Sequence, residues 1–162
     1  MELVEAFNPA TFIGQGWSVW RGPADGKGLG GKEDRDVRED VITEVNWHKV
    51  LYETMLKDGD TSITGEEKLN RLKEMGNIRL GGRAFLSLWQ DYQKNKENSV
   101  LEKLRITRNI RYVDFFGLIL RSSDGARYVL ALYFLDGEWR WSSYWLGGGW
   151  FAGSPSASLA SV

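Results

Sequence analysis

The sequence predicts an α+β domain in which helices come first and an antiparallel β meander comes last. Two changes of period carry that prediction. Between Thr64 and Leu104 apolar residues recur at three- and four-residue spacings, the stripe of a helix packed on one side. From Tyr112 to Trp145 they recur at every second residue, as in strands with one buried face. The dipeptides Asp124-Gly125 and Asp136-Gly137 interrupt the alternating part, and both favour tight hairpins.

Taken in order, residues 16–21 read as a short strand, with Trp17, Val19 and Arg21 opposite Ser18 and Trp20. Residues 22–40 mix glycines with a dense run of charges, a composition that buries little apolar surface and predicts a flexible, solvent-exposed loop. Asn46 is placed to cap a helix carrying Val50, Leu51, Met55 and Leu56, although Val41, Thr43, Val45 and Trp47 also alternate like a strand. Thr64 with Glu67 forms a capping box that opens a helix, with Leu69 and Leu72 inward and Gly76 as its stop. A second helix is predicted over 82–94, where Phe85, Leu88, Trp89 and Tyr92 form one stripe, and Asn98 caps a further turn or two through Leu101 and Leu104. Three strands follow, Tyr112–Arg121, Arg127–Leu135 and Glu138–Trp145.

Whole-chain quantities limit what such a domain can do. A chain of 162 residues supports a single domain with a sizeable core. A formal net charge of −1 gives no electrostatic footprint for nucleic acid or for an anionic membrane. The absence of cysteine excludes a disulfide framework, a thiolate zinc site and a cysteine nucleophile together. No apolar run approaches the roughly 20 residues that span a bilayer, so no membrane insertion is expected. The opening MELVEAFNPATF carries two acids where a signal peptide carries bases, so export is expected by another route, such as carriage on a virion or fusion to a larger assembly.

The most unusual segment is the last. Residues 139–162 (WRWSSYWLGGGWFAGSPSASLASV) hold no charged side chain except Arg140, although 27% of the chain is charged, and they lack Lys, Glu, Gln and Met. A frame of Trp139, Trp141, Trp145, Leu146, Trp150, Ala152 and Pro155 is interleaved with Gly, Ser, Tyr and Phe. The genetic code accounts for such a pattern. If the adenines of a codon such as AAC are replaced freely, the codon yields Asn, Ser, Tyr, Phe, Gly and Arg among others but never Lys, Glu, Gln, Met or Trp, while Trp, Pro and Ala codons without adenine stay fixed.

The ending resembles the variable proteins of diversity-generating retroelements, in which an adenine-directed reverse transcriptase rewrites the end of a receptor gene from a template copy. Relatives end in a stretch dominated by Trp and Asn, with Pro-Ser-Ala near the C-terminus. Set without gaps on such an ending, Arg140, Ser142, Gly148, Gly149, Phe151, Gly153 and Ser154 fall where Asn is expected, and Ser143, Tyr144 and Gly147 fall at Tyr-, Asn- and Asp-like template positions. The similarity is specific over 139–160 and looser at 16–23 (GWSVWRGP) and 65–72 (GEEKLNRL). It implies a C-type lectin-like fold with a C-terminal binding face. It also implies pairing of the N- and C-terminal strands, which would put Trp17 and Val19 beside Leu159. The function implied is a non-enzymatic receptor without cofactors. Its ten diversified residues would bind a changing macromolecular ligand, a protein. Tyr and Phe supply rigid contact area and Ser and Gly adapt around them, as in antibody loops. The alternative is a fixed-specificity carbohydrate binder or an enzyme on a similar fold.

Each candidate competes with a plainer explanation. Trp139, Trp141 and Trp145 share one face of a strand and are expected in the sheet core. The interposed residues compete with an ordinary glycine-rich loop. Asp58, Asp60, Glu66 and Glu67 suggest a cation loop, but the sixth position, where such a loop needs glycine, is Ile63. No paired acid-amide ligands follow Asp136, which argues against a calcium-dependent sugar site, and His48 is the lone histidine. The 26–31 stretch (GKGLGG) lacks the context and the Lys-Ser/Thr ending of a phosphate loop.

Overall fold

The computed structural model describes residues 1–22 and 29–161; residues 23–28 of the expected 22–40 loop, including the first half of GKGLGG, lie outside the described residues. The chain is α+β with a mostly antiparallel sheet. Its elements are α1 (Pro9–Phe12), β1 (Ser18–Val19), β2 (Leu51–Glu53), β3 (Ile63–Thr64), α2 (Gly65–Met75), β4 (Ile78–Arg79), α3 (Gly82–Asn95), α4 (Val100–Arg108), β5 (Tyr112–Arg121), β6 (Arg127–Leu135), β7 (Glu138–Trp145), β8 (Gly149–Trp150) and β9 (Ser156–Leu159). The main sheet runs β2-β9-β5-β6-β7, with β1 also on β5 and β4 also on β9, while β3 and β8 form a separate pair. Among the described residues only the contact of β5 with β9 is parallel, at Asp114 opposite Ser156.

The β5-β6-β7 meander has the ends that alternation predicts. Asp136 and Gly137 both take positive φ, 51° and 82°, which a two-residue turn of the I′ type requires. Alternation then sends side chains to two different cores. Phe115, Leu130, Leu132 and Trp139 pack with Phe85 and Leu88 of α3 and Leu101 and Leu104 of α4, whereas Phe116, Ile119 and Val129 pack with Leu69 and Leu72 of α2, Leu146 and Trp150.

The capping signals work locally. Thr64 Oγ1 accepts from the Glu67 amide at 3.1 Å and Gly76 closes α2 in the left-handed conformation. The cap of α4 is Ser99 rather than Asn98, its hydroxyl accepting from the Glu102 amide at 3.2 Å. Glu102 in turn receives Arg105 Nε at 2.8 Å and Trp139 Nε1 at 3.0 Å, tying α4 to the start of β7. Arg105 first, and Trp139 after it, hold the Glu102 carboxyl below the usual glutamate range. A depressed folded-state pKa gives stabilisation that is complete above the ordinary glutamate value and is lost as pH falls through the lower folded value. Glu102→Gln should therefore lower the melting temperature at neutral pH and flatten the acid side of the stability curve; an unchanged acid slope would exclude this role.

Three expectations are corrected. No helix follows Asn46: its Oδ1 accepts from the His48 amide at 3.1 Å, making a turn, and the chain then runs extended as β2, paired with β9 through Leu51 opposite Ser158. The charged stretch before it is not uniformly solvent-exposed. Asp36 and Glu39 are both 6% exposed because they accept backbone N–H groups, Asp36 from Arg79 at the end of β4 at 2.9 Å and Glu39 from Gly81 at the start of α3. The terminal strands do not pair. Val19 lies opposite Leu120 of β5, and Leu159 lies opposite Ile78 of β4, whose hydrogen bonds with β9 occupy the place the N-terminal strand would need.

Candidate functional site

The C-terminal segment begins on β7, an edge strand, and continues through a loop back to β9 in the sheet interior. Of the ten residues singled out in the sequence, none is buried. Arg140, Ser142 and Tyr144 share one face of β7, paired across to Tyr133, Ala131 and Val129, with Tyr144 packed on the core beneath α2 and Arg140 at the other end beside a groove along α3. Ser143 lies on the opposite face, and Gly147, Gly148, Gly149, Phe151, Gly153 and Ser154 line the loop beyond the strand. Tyr144 is half-buried, edge-on to Tyr112 at 5.8 Å and to Trp150 at 6.4 Å, so its ring is fixed while one side stays open. Phe151 is 57% exposed at the loop's outer side.

The frame is only partly internal. Trp139, Leu146 and Trp150 are buried as expected, Trp141 and Pro155 are half-buried, and Ala152 and Trp145 are exposed. Trp145 sits at the end of the edge strand, where no helix covers it, and its ring folds over Gly147 instead.

What immobilises the loop, besides Trp150, is a set of residues that sequence reasoning missed. Asp114, on β5, has no exposed side-chain surface, and neither does Lys68 of α2. Lys68 Nζ lies 3.3 Å from Asp114 Oδ2 and donates to the Ser154 carbonyl at 2.6 Å. Trp150 Nε1 donates to the same carboxylate at 2.8 Å, Tyr112 Oη at 3.2 Å, and Ser156 Oγ donates to Oδ1. Burial pushes the Asp114 carboxyl up and the Lys68 amine down, and each is opposed by the charge of the other. The first turn of α2 adds two main-chain ties: the Gly65 amide donates to Gly148 O at 3.2 Å and the Glu66 amide to Leu146 O at 3.1 Å. These are helix N-terminal donors that have no partner within the helix. Gly65 permits the approach, since a Cβ there would lie 2.5 Å from the Trp150 ring and 2.8 Å from Leu146 Cα. A signal for the pair was present in the sequence: Asp114 interrupts the apolar run YVDFFGLIL, and Lys68 precedes Leu72 by one turn on the inward side of α2.

No protein-family model, curated protein or solved structure matches the chain. The remaining candidates have ordinary partners. Asp60 and Glu67 both bind Arg71, Glu66 binds Arg127, and among the described residues no three His, Asp or Glu side chains come together as a metal site. His48 is exposed. No helix among the described residues is long and apolar enough to cross a membrane.

The loop glycines are the informative residues. Gly147, Gly148, Gly149 and Gly153 all avoid the left-handed region, whereas seven glycines elsewhere, from Gly14 to Gly137, occupy positive φ. A Cβ at Gly153 would meet nothing within 4 Å, one at Gly149 would make ordinary contact with Phe151, and one at Gly147 would displace only the exposed ring of Trp145. A Cβ at Gly148 would lie 3.2 Å from the Trp145 carbonyl oxygen, a tight contact, so the backbone accepts side chains without adjustment at Gly149 and Gly153 and requires a small shift at Gly147 and Gly148. Gly153→Asn and Ser142→Asn should each change stability by no more than about 0.5 kcal/mol, read as thermal melting; a shift several times larger at both would show that the loop depends on these residues.

Proposed function

We propose that this chain is a non-enzymatic receptor of the diversity-generating retroelement variable-protein kind, with a C-type lectin-like fold, whose ligand surface is Arg140, Ser142, Ser143, Tyr144, Gly147 to Gly149, Phe151, Gly153 and Ser154. The carrying observation is that none of the loop glycines takes the positive φ that would require glycine, and that Gly149 and Gly153 have room for a side chain. A glycine triplet retained for turning would sit at positive φ. One generated by adenine replacement has no such requirement, and at Gly149 and Gly153 it leaves a backbone with room for Asn, Tyr or Ser.

Two further features favour the same reading. The loop is pinned from below by Trp150, Lys68 and Asp114, all outside the diversified set, so its course does not depend on the residues that vary. Preorganisation of this kind lowers the ordering cost of binding. Affinity is then expected to concentrate in Arg140, Tyr144 and Phe151, the residue types and sizes that dominate interfaces.

The test is a library randomised at these ten positions alone. Most members should melt cooperatively near the parent temperature, and selection should yield binders to unrelated proteins. Widespread unfolding, or failure to select any binder, would refute the proposal. In the genome, a near-copy of the gene's 3′ end, differing only where the copy has adenine and lying beside a reverse transcriptase gene, would establish the diversification itself.

A further inference from the structure

β7 is the free edge of the main sheet, and its hydrogen-bonding pattern can be read from the turn before it. Leu135 and Glu138 flank the two-residue turn and form a hydrogen-bonded pair, so Arg140, Ser142 and Tyr144 bond to β6 and the residues between them turn their N–H and C=O outward. The Trp139 amide confirms the phase, since it donates to Tyr92 Oη at 3.1 Å rather than to β6. At the other end the Trp145 carbonyl accepts from the Gly148 amide at 3.0 Å. Between these two ends, the outward amides of Trp141 and Ser143 have no partner among the described residues, and of their carbonyls only Ser143 O receives a contact, a 3.4 Å one from the Ser142 hydroxyl.

Natural sheets protect such edges with charges, proline or a bulge. From Trp141 to Trp145 this edge has none of the three. Alongside it runs a groove of about 590 Å³ walled by Trp89, Tyr92, Trp139 and Trp141. Its cations are Lys96 and Arg140; its single acid, Glu138, is already held by Arg140 Nη2 at 2.9 Å. The Nε of Arg140 is buried with no acceptor. The groove therefore offers aromatic surface, a surplus of positive charge, and a strand edge that lacks a main-chain partner.

We propose that the ligand of this surface binds by strand addition: an extended segment of a partner protein pairs its main chain with Trp141 and Ser143 and sets an acidic side chain against Arg140 and Lys96. This deepens the receptor reading and rests on it. It separates two tasks, with constant main-chain pairing supplying affinity and the diversified side chains supplying selectivity.

The experiment selects random peptides of 8 residues, the length of β7, on the unaltered protein. Recovered peptides should alternate in polarity, be enriched in Asp or Glu, and protect the Trp141 and Ser143 amides from hydrogen exchange. Ser143→Pro removes an outward N–H without touching the β6 ladder, so it should retain cooperative melting and weaken binding by about tenfold or more. Methylation of the peptide amides that face β7 should do the same with the protein unchanged, which covers the case of a poorly folded variant. Arg140→Gln with Lys96→Gln should abolish the acidic enrichment. Recovery of no peptide, protection elsewhere, or binding indifferent to amide methylation overturns the proposal. So does concentration-dependent dimerisation through the same amides, which would make the occupant a second copy. If library binders exist but neither proline at position 143 nor methylation of the ligand's amides weakens them, strand addition fails while the receptor function stands.

Discussion

Asp114→Ala is expected to destabilise the fold by about 3 to 5 kcal/mol, because it leaves Lys68 as a buried charge without its partner. The cost does not stop at the ion pair. Trp150 Nε1, Tyr112 Oη and Ser156 Oγ all donate to this carboxylate, and each would lose a buried acceptor. Urea denaturation monitored by tryptophan fluorescence measures the loss. Removing the charge from both sides, as in Lys68→Met with Asp114→Leu, should recover part of it but not all, since the three donors remain unmatched. A loss below about 1 kcal/mol for Asp114→Ala would mean that water reaches the site and that the loop is not held as described.

Trp150→Ala should cost a similar amount, about 3 to 5 kcal/mol, as a large buried truncation. The indole is 3% exposed and packs edge-on against Phe116 at 5.6 Å while bonding Asp114. Since the two substitutions remove the two ends of one hydrogen bond, their effects should not add. The double variant should fall short of the sum by more than about 0.5 kcal/mol, the usual threshold for residues in contact. Strict additivity would separate the Trp150 anchor from the charge beneath it. In contrast, the neighbouring diversified positions should be nearly silent, so the contrast within one segment is itself diagnostic.

The parts of this architecture legible in the sequence are those fixed by near neighbours. The meander and its turns follow from alternation and from two Asp-Gly pairs, and α2 follows from Thr64, its two inward leucines and Gly76. Where distant segments decide, sequence pattern misleads. Asn46 sends the same local signal whether it caps a helix or opens a turn; pairing of Leu51 with Ser158, far along the chain, selects the turn. Asp36 and Glu39 look like members of a solvated run, yet they are buried because remote amides need acceptors. The exposure of Trp145 follows from β7 being an edge, a property of sheet order that no single strand encodes. Within the site, composition marks the surface residues, while for Lys68 and Asp114 the sequence shows only that a charge sits on an inward face; that the two meet, and that Gly65 packs on Trp150, is decided by segments distant in the chain.

The amides of Gly65 and Glu66, bonded to Gly148 and Leu146, give α2 an N-terminus completed by another part of the chain. Helix and loop therefore open as one cooperative unit, because releasing the loop exposes the two amides that start the helix. In native-state hydrogen exchange these two protons should report the integrity of a segment about eighty positions downstream in the chain, and do so identically whatever side chains it displays. A population of sequence variants would then share a single early-warning pair of protons, whose exchange rate sorts members that keep a shaped surface from members that merely remain folded elsewhere.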